Sequence, residues 1–182
     1  MYTDNTLTPK EAIRLCALGI LSNGAKRYSA LAGEVRHFVS HMIGPSIDVL
    51  SPSMELLKYE GLVKSIDGSG MEDDATLEIT DKGSVELHTL LTANLRMGAT
   101  ELNKLIIALK FKFLHLLSPA EQQDQAELLI DVYESALARM DNLRQTQTDN
   151  AGHLGDWLDH DIDTIQRRLV WLKNFSQSLR SA

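Results

Sequence analysis

Residues 50–66 read LSPSMELLKYEGLVKSI, and the apolar period changes inside them. Up to Tyr59 the stretch reads as a short helix: Ser51-Pro52 suits its start, Met54 and Leu57 share one face, and Gly61 stops it. From Leu62 to Ile66 apolar and polar residues alternate instead, as in a half-buried strand. Ala75 to Thr80 has the same β-prone character, and the segment between, Asp67-Gly68-Ser69-Gly70-Met71-Glu72-Asp73-Asp74, is a Gly-rich polar tip. Together they predict a hairpin. Thr80-Asp81-Lys82-Gly83 then leads into a further helix, expected to reach about Leu95.

Upstream, two more helices are legible. Thr8-Pro9-Lys10-Glu11 places an N-cap threonine before proline, with a glutamate three residues after the cap. Ile13, Ala17, Ile20 and Leu21 recur at helical spacing until Asn23-Gly24. The second helix, about Tyr28 to Met42, carries Leu31, Val35, Phe38 and Met42 and meets Gly44-Pro45. The order helix, helix, helix, hairpin, helix is that of a winged helix-turn-helix domain, expected over residues 1–95.

Residues 96–182 are predicted to be entirely helical and to form an α-helical dimerisation domain. Leu102, Ile106, Leu109, Phe113 and Leu116 step by four and three, and Ser118-Pro119-Ala120-Glu121 caps a new helix. Ala126, Leu129, Tyr133, Ala136, Met140 and Leu143 continue that spacing, as do Leu154, Leu158, Ile162, Ile165, Leu169 and Leu172 beyond a polar break at Gln145–Gly152. Such steps are heptad-like and favour coiled-coil packing. These helices could pack against each other or against a second subunit, and with so narrow a seam pairing with a second chain is the favoured expectation. The fold class is therefore mainly α: a winged helix-turn-helix domain with a small β-hairpin wing, then a long-helix dimerisation domain.

Composition narrows the function. The 182 residues hold 18 Lys+Arg against 25 Asp+Glu, a net charge of −7, and the 43% hydrophobic content is that of a globular chain able to bury a core. The best apolar run, Leu15–Ala25, is too short to cross a bilayer, and the first residues carry no secretory pattern, so a cytoplasmic protein with no membrane partner is expected. Cys16 is the sole cysteine, which excludes an internal disulfide. No phosphate-binding loop, dinucleotide fingerprint, nucleophile elbow or His-Glu-x-x-His is present, so neither an enzyme nor a cofactor is expected. Neither half is basic: residues 1–90 have eight basic and thirteen acidic residues, residues 91–182 ten and twelve. An acidic total argues against nucleic acid without forbidding a local basic patch.

The stretches Ala17-Leu18-Gly19-Ile20-Leu21, Gly24–Tyr28, Leu50–Val63 and Leu77-Glu78-Ile79-Thr80-Asp81-Lys82-Gly83, in that order, resemble the PadR family of bacterial transcriptional regulators. Leu109-Lys110-Phe111-Lys112-Phe113, Leu117-Ser118-Pro119-Ala120-Glu121 and Arg168-Leu169-Val170-Trp171-Leu172 look like the helical tail of its AphA-like members. The resemblance spans about Thr8 to Leu179. It implies a homodimer on double-stranded operator DNA, with the third helix as reader, the hairpin as a wing on the backbone, and the tail as the dimer interface. Two recognition helices can enter successive major grooves only when about 34–36 Å apart. Ser51 stands where family members usually have tyrosine, and the wing tip Glu72-Asp73-Asp74 repels phosphate instead of attracting it.

On that footing the candidate DNA-binding residues are Lys26, Arg27, Tyr28, Arg36, Ser51, Ser53, Lys58 and Lys64, with His37 and His41 beside Arg36. The alternative for each cation is a solvated helix face, and for Tyr28 packing in the core. Candidate dimerisation residues are Leu158, Ile162, Ile165, Leu169, Trp171 and Leu172. Trp157 and Trp171, 14 residues apart, lie on one side of the last helix and read as dimer anchors or as a slot for a small aromatic effector. His153, Asp156 and His160 have a spacing that could hold zinc or nickel, but an acid-rich helix start is also what the helix dipole favours, so no metal is expected. Cys16, set among Leu15, Ala17 and Leu18, reads as a buried apolar thiol. The rival to a DNA-binding regulator is a winged-helix protein-interaction or dimerisation module with weak or no DNA binding.

Overall fold

The computed structural model describes residues 6–44, 50–67, 74–95, 101–146 and 152–181, with side chains in the third helix described from Glu55 onward. Seven α-helices and three short strands are present among them, and they fall into two compact units. The first unit holds α1 (Pro9–Leu21), β1 (Lys26–Arg27), α2 (Tyr28–Ile43), α3 (Leu50–Tyr59), β2 (Val63–Ser65), β3 (Thr76–Ile79), α4 (Asp81–Thr92) and α5 (Glu101–Phe113) with the 3₁₀ turn Leu114–Leu116. The second holds α6 (Pro119–Thr146) and α7 (Leu154–Arg180). It is a winged helix followed by a long-helix pair.

The first compact unit runs to Leu116 apart from Leu95–Gly98, so α5 goes with the winged helix and not with the tail expected from residue 96. Its apolar face explains the difference. Leu105, Ile106, Leu109 and Phe113 are buried, and the Phe113 ring lies against Gly19 so closely that a Cβ there would come within 2.6 Å of it. The core of this unit is otherwise the apolar half of α1 (Ala12, Leu15, Cys16, Leu18 and neighbours) with Leu31, Val35 and Leu57.

Local chemistry sets the element ends. Thr8 and Glu11 form a reciprocal capping box at the start of α1, and Ser118 and Glu121 make the same exchange before α6. At the end of α3 the Leu62 amide donates to the Leu57 carbonyl and the Gly61 amide to the Lys58 carbonyl. This is a Schellman closure, which needs the positive φ of 72° that Gly61 supplies. The turn drops the chain into β2.

The sheet order is β1-β3-β2, antiparallel throughout, with Lys26 opposite Leu77, Arg27 opposite Thr76 and Lys64 opposite Glu78. The hairpin is thus joined by a third strand that periodicity over two residues cannot announce. Directly opposed residues share a face, so Arg27, Thr76, Glu78 and Lys64 form the outer side. Leu77 and Val63 face inward and are buried. Gly83, in the first turn of α4, lets that helix pass over the Leu62 carbonyl, which a Cβ would meet at 2.1 Å.

Two polar groups tie the unit together. Arg14 of α1 reaches Glu60, just past α3, at 2.8 Å and Glu86 of α4 at 2.9 Å. Lys110 of α5 is 1% exposed and donates to the carbonyls of Leu91 and Ala93, both at 2.7 Å, closing the C-terminal end of α4. Burial pulls the Lys110 ammonium down to about 8.

In the second unit the two helices are antiparallel: Gln123 and Glu127 early in α6 meet Ser176 and Arg180 late in α7, Tyr133 and Glu134 meet Arg168 and Lys173, and Arg144 near the end of α6 meets Asp159 near the start of α7. The heptad seam is closed by an antiparallel hairpin inside one chain. It does not wait for a second chain, because the break at residues 147–153 is long enough for the helix to fold back.

Candidate nucleic-acid interface

The outer face of the small sheet and the exposed end of α3 carry three of the five cationic candidates. Arg27 and Lys64 stand on the same outer sheet face, one on each edge strand. Lys58 is exposed in the last turn of α3. Arg36 is exposed on α2, one residue before His37, whose ring lies 4.2 Å from that of His41. Neither Arg36 nor Lys58 forms an ion pair among the described residues. The side chains of Ser51 and Ser53, and the wing-tip residues Glu72 and Asp73, lie outside the described residues.

Three candidate cations already have carboxylate partners. Lys26 pairs with Glu34 at 2.5 Å, Arg27 with Asp74 at 3.7 Å, and Lys64 with Glu78 at 3.1 Å. Lys26 differs in another way: opposite Leu77, it points to the inner side of the sheet edge and reaches Glu34 on α2. Asp74 has a positive φ of 55°, and its Oδ1 accepts the Ser29 amide of the first turn of α2 at 2.7 Å. The Ser29 hydrogen bonds, then Arg27, hold its carboxyl below the usual range. Tyr28 is partly buried and its amide donates to the Ala75 carbonyl at 3.0 Å, so its backbone belongs to the sheet edge.

Tyr59, 89% exposed at the end of α3, and Ile66, 53% exposed after β2, flank Lys58 and Lys64 in sequence and were not expected as surface groups. The signal for Tyr59 was available: it falls two residues past Leu57, off the buried stripe.

The dimerisation candidates divide. Leu158, Leu169 and Leu172 are buried within the chain, on the stripe of α7 that also carries Ser176, the acceptor from Gln123 of α6. Ile162 and Ile165 are partly covered on the same side. Trp171 and Trp157 are 53% and 56% exposed, and the Trp171 ring stacks on Phe175 at 5.6 Å. Four helical turns separate the two indoles by about 21 Å, too far for one chain to sandwich a single flat ring between them. His153 bonds Asp156 at 3.2 Å, and no cluster of three or more His, Cys, Asp or Glu gathers among the described residues. Cys16 is fully buried in α1, and burial pushes its thiol up to about 12, which leaves it unreactive.

Three solved structures align with most of this chain. Bacillus subtilis PadR in complex with p-coumaric acid is 16% identical, with a TM-score of 0.41, over 96% of this chain and 99% of that one. Bacillus subtilis PadR in complex with operator DNA is 18% identical, with a TM-score of 0.37, over 91% and 96%. The protein smu.1604c from Streptococcus mutans UA159 is 16% identical, with a TM-score of 0.37, over 96% and 98%. No curated protein matches. A family model described as "Putative AphA-like transcriptional regulator" matches residues 2–176. Nearly the whole chain lies within that match, from the first turn of the winged helix through the last turns of α7, and the protein belongs to the AphA-like family of transcriptional regulators.

Proposed function

We propose that this chain regulates transcription in the cytoplasm by binding a near-two-fold operator in double-stranded DNA as a homodimer, and that it is not an enzyme. The observation that carries the reading is the placement of an exposed α3 end, with Lys58 and Tyr59, in a unit whose sheet turns Arg27 and Lys64 outward. In a winged helix these are the parts that approach the groove and the adjoining backbone. Lys26, Arg27, Arg36, Lys58 and Lys64 would supply phosphate contacts, with Ser51 and Ser53 kept as candidates for base contacts. Family membership in a group of transcriptional regulators supports the same reading.

Dimerisation would use the exposed flank of α7 bearing Trp157 and Trp171, since the leucine stripe is already covered. An aromatic effector would then need one indole from each of two chains.

The test is selection from a pool of random duplex DNA at low salt, followed by sequencing of what the protein retains. Enrichment of a two-fold motif with half-sites about one turn apart, weakened by Arg27→Ala with Arg36→Ala, is the expected result. Absence of retention at about 50 mM salt, where phosphate contacts are strongest, would overturn it. The rival, a winged-helix interaction module without DNA binding, has a specific observation in its favour: three of the five candidate cations are paired with carboxylates within the chain.

A further inference from the structure

The three ion pairs share a feature that ordinary surface pairing does not require: each carboxylate sits on a group expected to meet phosphate. Glu34 closes Lys26, Glu78 closes Lys64, and Asp74 lies between Arg27 and the first turn of α2. Asp74 is held there firmly. Its Oδ1 takes the Ser29 amide at 2.7 Å, its Oδ2 lies 3.7 Å from Arg27, and its backbone adopts the left-handed region that a non-glycine residue seldom enters.

We propose that Glu34, Asp74 and Glu78 occupy, in the free protein, the positions that DNA phosphates would take, and so set the affinity and salt response of the winged helix. This rests on the DNA-binding reading above and deepens it. A cation that reaches a phosphate must first leave its carboxylate, and that carboxylate then lies near the DNA backbone and repels it. The net charge brought to each contact is close to zero, so the dependence of binding on salt is shallower than five cations would give. Exposed pairs of this kind are individually weak, and each carboxylate lowers affinity by about two- to fivefold. The surface thus disfavours DNA in general and passes only a sequence whose base contacts add enough.

The experiment compares the full-length protein with Glu34→Gln, Asp74→Asn, Glu78→Gln and the triple variant, by fluorescence anisotropy on a labelled duplex of random sequence. Salt runs from about 50 to 200 mM. Asparagine keeps both the acceptor for Ser29 and tolerance of the left-handed region, so Asp74→Asn removes charge and little else; unchanged circular dichroism confirms folding. Each single variant should bind about two- to fivefold more tightly. The triple variant should steepen the log–log salt slope by roughly 0.9 for each charge removed. Glu134→Gln, which frees Lys173 in the second unit, controls for net charge. An equal gain from that control would overturn the local assignment, as would unchanged binding in the three variants while Arg36→Ala and Lys58→Ala still weaken it. If neither wild type nor triple variant binds at the lowest salt, the DNA-binding reading fails as well, which separates the two outcomes.

Discussion

Gly83 and Gly19 show how a single missing Cβ positions a helix. At Gly83 the obstacle would be the Leu62 backbone oxygen at 2.1 Å, and at Gly19 the edge of the Phe113 ring at 2.6 Å. Backbone in the hydrogen-bonded turn from α3 into β2 cannot retreat, whereas a ring can turn or be trimmed. Gly83→Ala should therefore cost more than Gly19→Ala, each on the order of 1–3 kcal/mol. Phe113→Leu should recover part of the Gly19→Ala loss and none of the Gly83→Ala loss in urea titrations. Lys110 makes a prediction of another kind. Its folded value near 8 is depressed from the ordinary 10.5 by burial. The folded chain gives up this proton before the unfolded chain does, so the contribution of Lys110 to stability rises from about pH 8 and levels near 10.5. Below that window both states are charged and the burial cost is carried in full. The difference in urea midpoint between wild type and Lys110→Met should grow in favour of wild type across this range. A flat difference would show that the amine is not strained.

At the scale of elements, α7 carries a buried stripe and an exposed flank, and the dimerisation proposed above would use only the second. Leu169 is 5% exposed on the stripe that meets α6, whereas Trp171, two residues on, is 53% exposed on the flank. Leu169→Ala should lower stability by about 2–5 kcal/mol through the cavity it leaves. Trp171→Ala should leave monomer stability nearly unchanged while shifting sedimentation towards a lighter species. Equal loss of stability from both would mean that the indole belongs to the intrachain core. Thr8 is a simpler case: its box with Glu11 is complete, and Thr8→Ala should cost about 1 kcal/mol.

At the scale of the whole molecule, the position of α5 decides what folds alone. A fragment ending at residue 95 lacks Ile106, Leu109 and Phe113, all 1% exposed or less, and leaves the α1 face around Gly19 uncovered. A fragment of residues 1–117 should melt cooperatively in calorimetry and the 1–95 fragment should not. A cooperative transition in the shorter fragment would return the boundary to the place periodicity suggested. Net charge acts at this scale too. With −7 on the whole chain, the DNA approach proposed above would depend on local fields and not on the total.

Much of the fold was legible residue by residue, because caps, helix stops and period changes are interactions within a few positions of the chain. Thr8 with Glu11, the Gly61 closure and the switch to alternation after Leu62 each specify an element locally. The cationic candidates were legible as residue types for the same reason. What only the tertiary structure decided are the pairings across distance. α5 joins the winged helix because Phe113 fills the space left by Gly19. Leu158, Leu169 and Leu172 are covered within the chain because α7 folds back antiparallel along α6. Lys26–Arg27 becomes a strand because β3 offers it a free edge. Glu34, Asp74 and Glu78 meet their cations only once that sheet has formed. A linear pattern records which face a residue occupies on its own element, but the partner of that face is set by packing and charge between segments far apart in the chain.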